Sequence, residues 1–105
     1  MRIGEDLMKC KPWEIWWATV KFEDCNQSTI RPVLIADTDN MHALCLKMTR
    51  KKRTGEYTLL EWAKSGLPCE TTIRQTKILL LEESDLKSKI GDVSLRDKAN
   101  MIRFI

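Results

Sequence analysis

Turn-forming residues recur so closely along most of this chain that no long helix fits between them. Clusters of Gly, Pro, Asn, Asp and Ser cut it into short runs rich in aromatic and β-branched residues. That is the pattern of strands joined by tight turns. Residues 13–22 read as a first strand, with Trp16, Ala18, Val20 and Phe22 on one face by the two-residue period. After a polar loop at 23–28, residues 32–36 form a second strand, closed by the turn at 37–40. Residues 41–49 alternate: His42, Leu44, Leu46 and Met48 share one face, and Ala43, Cys45, Lys47 and Thr49 the other. Residues 57–62 and 71–82 supply a fourth and a fifth strand, the last β-branched at its start and apolar at its end.

The period changes in the last quarter. Ser84 reads as the cap of a short helix through Ile90, with Gly91 as its stop. Ser94-Leu95-Arg96-Asp97 resembles a capping box opening a final helix, with Leu95, Ala99 and Ile102 on one face. Strands without βαβ alternation, followed by helices, predict a mainly β fold: a small barrel with C-terminal helices. A chain of 105 residues is one domain, here 13–105 behind a polar lead-in at 1–12.

Composition excludes several classes. A net charge of +3 is too small for a polycationic binder but permits a local basic face. Apolar runs such as Ile78-Leu79-Leu80-Leu81 are too short to span a bilayer. The acidic N-terminus lacks the apolar stretch of a signal peptide, so a cytoplasmic protein is expected. Cys10, Cys25, Cys45 and Cys69 form no C-x-x-C pair and accompany a single histidine, so neither a metal site nor a disulfide framework is expected. No cofactor is expected either.

No nucleophile-and-base set stands out. His42, on the apolar face of the third strand, reads first as a packed core histidine. What remains is a set of basic and hydroxyl groups, the kind that can stabilise charge on a reacting phosphate. Arg31 stands before Pro32 at the mouth of the second strand, and Thr49 ends the third strand before Arg50-Lys51-Lys52-Arg53. The default reading of that basic run is a solvated loop; its functional reading is a phosphate-binding lip. Arg74 shares an alternating face with Thr72, Thr76, Ile78 and Leu80, as in a strand running from a polar site into a core. Trp13, Trp17 and Trp62 read either as core or as platforms for stacked bases.

These residues resemble a known family. Glu14-Ile15-Trp16-Trp17 followed by Arg31-Pro32-Val33-Leu34-Ile35 resembles the opening of the PemK/MazF toxins of bacterial toxin–antitoxin modules. Lys47-Met48-Thr49-Arg50, Gly66-Leu67-Pro68, Thr71-Thr72-Ile73-Arg74 and Lys77-Ile78 continue the resemblance, as do Gly91 and the capped helix from Ser94. It runs over about residues 13–102 and rests on the order of its short motifs rather than on any one of them.

The resemblance implies an SH3-like barrel, a homodimer, and a metal-independent endoribonuclease. Such an enzyme cuts single-stranded RNA to 2′,3′-cyclic phosphate and 5′-hydroxyl ends and is restrained by a cognate antitoxin. It assigns Arg31, Thr49 and Arg74 to catalysis, and Arg50, Lys51, Lys52, Arg53 and Thr76 to RNA contact. Arginine holds its proton firmly, so charge stabilisation is the larger expected role of Arg31. Two departures stand out. Trp13-Glu14 replaces the family's Gly-Asp before the first strand, and Thr76 stands where some members carry an aspartate. A barrel that keeps the fold but only binds RNA or protein is the rival reading, and an adaptor binding a segment at a sheet edge is a third.

Overall fold

The computed structural model describes residues 8–21 and 28–104. Strands β1 (Glu14–Lys21), β2 (Ser28–Thr38), β3 (His42–Thr49), β4 (Tyr57–Thr58), β5 (Thr72–Glu82) and β6 (Leu86–Asp92) precede one helix, α1 (Leu95–Phe104). They form a single antiparallel sheet in the order β4-β5-β3-β2-β1-β6, curled into a half-barrel. The mainly β expectation holds. Phe22, the loop at 23–27, Cys25 and the first seven residues lie outside the described residues.

Both faces of the sheet are packed. On one, Trp16, Ala18 and Val20 of β1 meet Val33 and Ile35 of β2, Ala43 and Cys45 of β3, and Leu81 of β5, under Met8 and Cys10. On the other, Ile15, Leu34, Met48 and Ile73 are covered by Tyr57, Leu59, Leu67, Val93 and Met101. Neighbouring residues such as Val33 and Leu34 therefore anchor different cores, which is what continuous apolar runs in strands make possible.

The alternation of β3 holds, but its two ends meet different surroundings. Met48 is buried in the second core, whereas Leu44 is 37% exposed and His42 half-buried, beyond the reach of that cover. His42 is not a core histidine; its amide donates to Asp39 Oδ1 in a turn at the sheet end.

β5 departs further. Lys47 pairs with Arg74, but the next residue back, Leu46, pairs with Ile78, so one step on β3 spans four on β5. This bulge flips the side-chain phase. Leu81 goes into the first core, while Ile78 and Leu80, expected to run inward from Arg74, stand 59% and 64% exposed.

Residues 84–90 are not a helix. Glu83–Asp85 form one 3-10 turn, and the following stretch pairs with β1 as β6. Lys87-Ser88-Lys89 has no apolar stripe to bury as a helix, whereas the edge of β1 offers unpaired backbone groups. Gly91 accordingly stops nothing; a Cβ there would meet the Ser65 carbonyl oxygen at 2.1 Å, and one at Gly66 (φ 91) would meet that of Ile90 at 2.6 Å. The fourth strand ends at Thr58, and residues 61–67 form turns through bonds such as Leu67 N–H to the Trp62 carbonyl at 3.1 Å.

Helix α1 begins as expected, with the Asp97 N–H donating to Ser94 Oγ at 3.1 Å. Its docking face is not the expected one. Leu95 and Ile102 are 82% and 61% exposed, while Asp97 and Met101 are buried. The Asp97 carboxylate accepts from the Tyr57 hydroxyl (2.6 Å) and the amides of Leu60 (2.8 Å) and Glu61 (2.8 Å). Satisfying those donors turns the helix, and the Leu95–Ala99–Ile102 stripe faces outward.

Candidate functional site

Arg31 and Thr49 line one cavity, each two residues beyond Val33 and Lys47, the last residues paired between β2 and β3 at that end. On the far side of β3, Thr49 pairs with Thr72 and Lys47 with Arg74. Arg31, Thr49, Lys47 and Arg74 thus lie on the sheet face that holds Val33 and Cys45 in the first core. The apolar half of that face builds the core; the other half is cationic and hydroxylic.

A cavity of about 370 Å³ opens at this polar end, and Arg31, Thr49 and Arg50 line it beside Trp17, Pro68 and Cys69. Thr49 Oγ1 accepts the Lys51 N–H at 3.2 Å, which leaves the hydroxyl proton to be donated to a ligand. Thr71 Oγ1 donates to the Cys69 carbonyl at 2.9 Å and stiffens the wall opposite. Two arginines, a hydroxyl donor and an indole around one concavity suit a phosphate and the base attached to it.

The remaining sequence-selected residues divide. Lys51, Lys52 and Arg53 are exposed on the loop that leaves the cavity, where Lys52 pairs with Glu70 at 3.6 Å. Both partners of that pair are largely in water, so it holds the loop weakly. Arg74 and Thr76 do not line the cavity. They converge on Glu56: Arg74 Nε donates to Oε2 at 3.2 Å, and the Thr76 hydroxyl and amide donate to Oε1 at 3.4 and 3.5 Å. Burial alone would raise the Glu56 carboxyl, but these hydrogen bonds and the Arg74 charge hold it below the usual range.

Sequence reasoning missed Glu56, because nothing in the spacing of a loop acid and a strand arginine reveals that they meet. Of the tryptophans, Trp17 alone lines this cavity, while Trp13 and Trp62 pack against the second core. A second cavity of about 420 Å³, lined by Trp13, Leu34, Leu46, Gln75 and Met101, is mainly apolar and contains none of the basic residues. Among the described residues, no three of His, Cys, Asp and Glu gather at one point, and no helix is long and apolar enough to cross a membrane.

Trp13 carries the departure at the entrance to β1. It occupies the left-handed region at φ 73, and Glu14 N–H closes a turn on the Lys11 carbonyl at 3.2 Å. The tight turn that the departure from Gly-Asp left in question is therefore made here with tryptophan. Its ring packs on the second core and under the Lys98 ammonium, 5.5 Å from the ring centroid.

No protein-family model and no curated protein matches the chain. Solved structures do. The Mycobacterium tuberculosis toxin MazF-mt6 superposes with a TM-score of 0.70 at 18% identity, over 88% of this chain and 91% of that one. An endoribonuclease in complex with its cognate antitoxin, from a mycobacterial species, gives 0.70 at 12% identity over 90% and 89%. A mycobacterial endoribonuclease gives 0.70 at 13% over 92% and 88%. At these identities the likeness is one of fold: the half-barrel and closing helix are those of MazF toxins.

Proposed function

We propose that the chain is a toxin of the MazF kind, an endoribonuclease that cuts single-stranded RNA in the cavity between Arg31 and Thr49. The observation that carries this reading is the convergence of Arg31, Thr49 and Arg50 on one concavity walled by Trp17. The likeness of the whole fold to named endoribonucleases supports it. The proposed chemistry is a metal-independent transesterification. The 2′-oxygen attacks the adjacent phosphorus and loses its proton; the bond to the 5′-oxygen breaks, and that oxygen gains one. The products carry a 2′,3′-cyclic phosphate and a 5′-hydroxyl. Arg31 offsets the charge that builds on the phosphate, Thr49 donates its hydroxyl proton to a phosphate oxygen, and Trp17 stacks a neighbouring base. Lys51, Lys52 and Arg53 draw in the backbone on either side.

The proposal extends to a cytoplasmic homodimer and to restraint by a cognate antitoxin; the latter is supported by one structure of this fold, described as an endoribonuclease in complex with its cognate antitoxin. The rival reading, a barrel that binds RNA without cutting it, draws on one observation: Arg74 is held by Glu56 outside the cavity. Incubation with mixed-sequence single-stranded RNA in excess EDTA, beside Arg31→Ala, separates the two. Cleavage by the parent to cyclic-phosphate and 5′-hydroxyl ends, reduced at least about a hundredfold in the variant, is expected when a charge that stabilises the transition state is removed. Folded protein that binds RNA yet leaves it intact would overturn the enzyme reading in favour of the rival.

A further inference from the structure

The contact between Glu56, Arg74 and Thr76 has the make-up of an anion site that is already filled. One guanidinium N–H, one backbone N–H and one hydroxyl, all donors, converge on the two oxygens of a single carboxylate. A phosphate oxygen pair would satisfy the same donors. The carboxylate belongs to the only acid between Arg50 and Thr58, and it stands three residues after the last cation of the basic run, Arg53. Gly55, at φ 86 with nothing within 4 Å of where a Cβ would stand, supplies the bend that turns Glu56 back onto β5. The contact is not a surface accident: the Glu56 side chain is 9% exposed and that of Arg74 is 22% exposed.

The location matters as much as the chemistry. Arg74 stands beside Lys47, and Thr72, two residues earlier on β5, stands beside Thr49. Arg74 therefore lies on the same sheet face as Thr49, one strand over and diagonal to it, a separation of about 7–8 Å between side-chain origins. An RNA chain crossing the cavity would bring a neighbouring phosphate to this place.

We propose that Arg74 and Thr76 form a second phosphate site for the RNA backbone, which Glu56 closes in the free protein as an internal stand-in for phosphate. This rests on the RNA reading above. Entry of RNA exchanges one anion for another on the same donors and releases Glu56 together with the loop at 50–55. The four cations of that loop are then free to follow the backbone. Glu56 acts through Arg74, so it is a gating residue and not a catalytic one.

The test uses a single-stranded RNA methylated at its 2′-oxygens, which cannot be cut, with binding followed by fluorescence anisotropy over a range of salt. Glu56→Gln should bind about tenfold tighter, the scale of one charge-assisted hydrogen bond no longer broken on binding. Its salt slope should match the parent's, because the number of phosphates neutralised is the same. Arg74→Ala should lower that slope by about 0.7, as for one phosphate fewer on a single strand. In the double variant the gain from Glu56→Gln should vanish. Glu70→Gln removes an equal charge close to the same loop and should leave affinity within about twofold, which separates gating from a general change of field. Should Glu56→Gln be poorly folded, Glu56→Asp, with its shorter reach, should give a smaller gain of the same sign.

A second readout does not involve RNA. Inorganic phosphate should shift the Thr76 amide and Arg74 Nε–H resonances saturably in Glu56→Gln and not in the parent. Unchanged or weaker RNA binding by Glu56→Gln, on RNA that the parent binds, would overturn the gate and leave the proposed function standing. Absence of RNA binding in every variant would overturn both, and the phosphate titration would then report whether the anion site exists by itself.

Discussion

At the scale of single residues, Trp13 sets backbone strain against packing. A side chain in the left-handed region costs about 1–2 kcal/mol that glycine avoids, while the ring packs on Met101's cluster and under the Lys98 ammonium. Trp13→Ala loses the ring and keeps the strain; Trp13→Gly loses the ring alone. Denaturant unfolding should therefore find the alanine variant less stable than the glycine variant by about 1 kcal/mol. Glu14, next to it, is a buried carboxylate with a full set of partners. Burial would raise it, but the Trp16 indole, the Lys11 amide and Lys89 hold it below the usual range. A depressed value in the fold means that its contribution is complete above the unfolded value of about 4.3 and is lost as pH falls through the folded one. Glu14→Gln should thus cost about 1–2 kcal/mol at pH 7, and the two stability curves should converge in acid. Cys45 is pushed up to about 12, chiefly by burial. Thiol reagents at pH 8 should label Cys69, half-buried in the cavity wall, and leave Cys45 unmodified until the protein unfolds. Arg31, expected before a strand that starts at Pro32, lies inside β2, which starts at Ser28; the strand end at Thr49, marked by the basic run after it, was legible. Glu56 was not, since its meaning comes from a partner 18 residues away.

At the scale of elements, the faces of β1 and β3 were legible from the two-residue period, while the phase of β5 beyond Arg74 was not. Bulges cause most of that gap, because a period-two reading propagates a single offset along everything that follows. The segment at 84–90 was misread for another reason: its strand character comes from the free edge of β1, which no local pattern records. The same applies to α1, whose Ser94 cap was visible but whose docking depends on Asp97 meeting donors near residue 60. Asp97→Ala would take the acceptor from the Leu60 and Glu61 amides and from the Tyr57 hydroxyl proton, and a loss of about 3 kcal/mol in urea unfolding is expected. Gly91→Ala drives a methyl into the Ser65 backbone. With no flexible side chain to give way, a loss of about 3 kcal/mol should follow, with Leu67 and Pro68 displaced from the cavity wall.

At the scale of the whole molecule, a net charge of only +3 means that any RNA affinity comes from where the cations lie and not from how many there are. Lys51→Ala with Lys52→Ala should flatten the salt dependence of RNA binding by about 0.7 for each phosphate that is no longer neutralised. Cleavage positions should stay the same, because the groups around Thr49 are untouched. The mainly β class was legible from turn spacing; the packing of both sheet faces was not, because a continuous apolar run does not say on which side it is covered. The bulge on β5 has a consequence for how such a protein can change over time. It uncouples the register of Thr72 and Arg74 from that of Leu79 and Leu81, so an insertion or deletion absorbed at 75–77 alters what one end of the sheet reacts with and spares what the other end is built from. Descendants of this chain can explore new substrates at one end while inheriting the other unaltered.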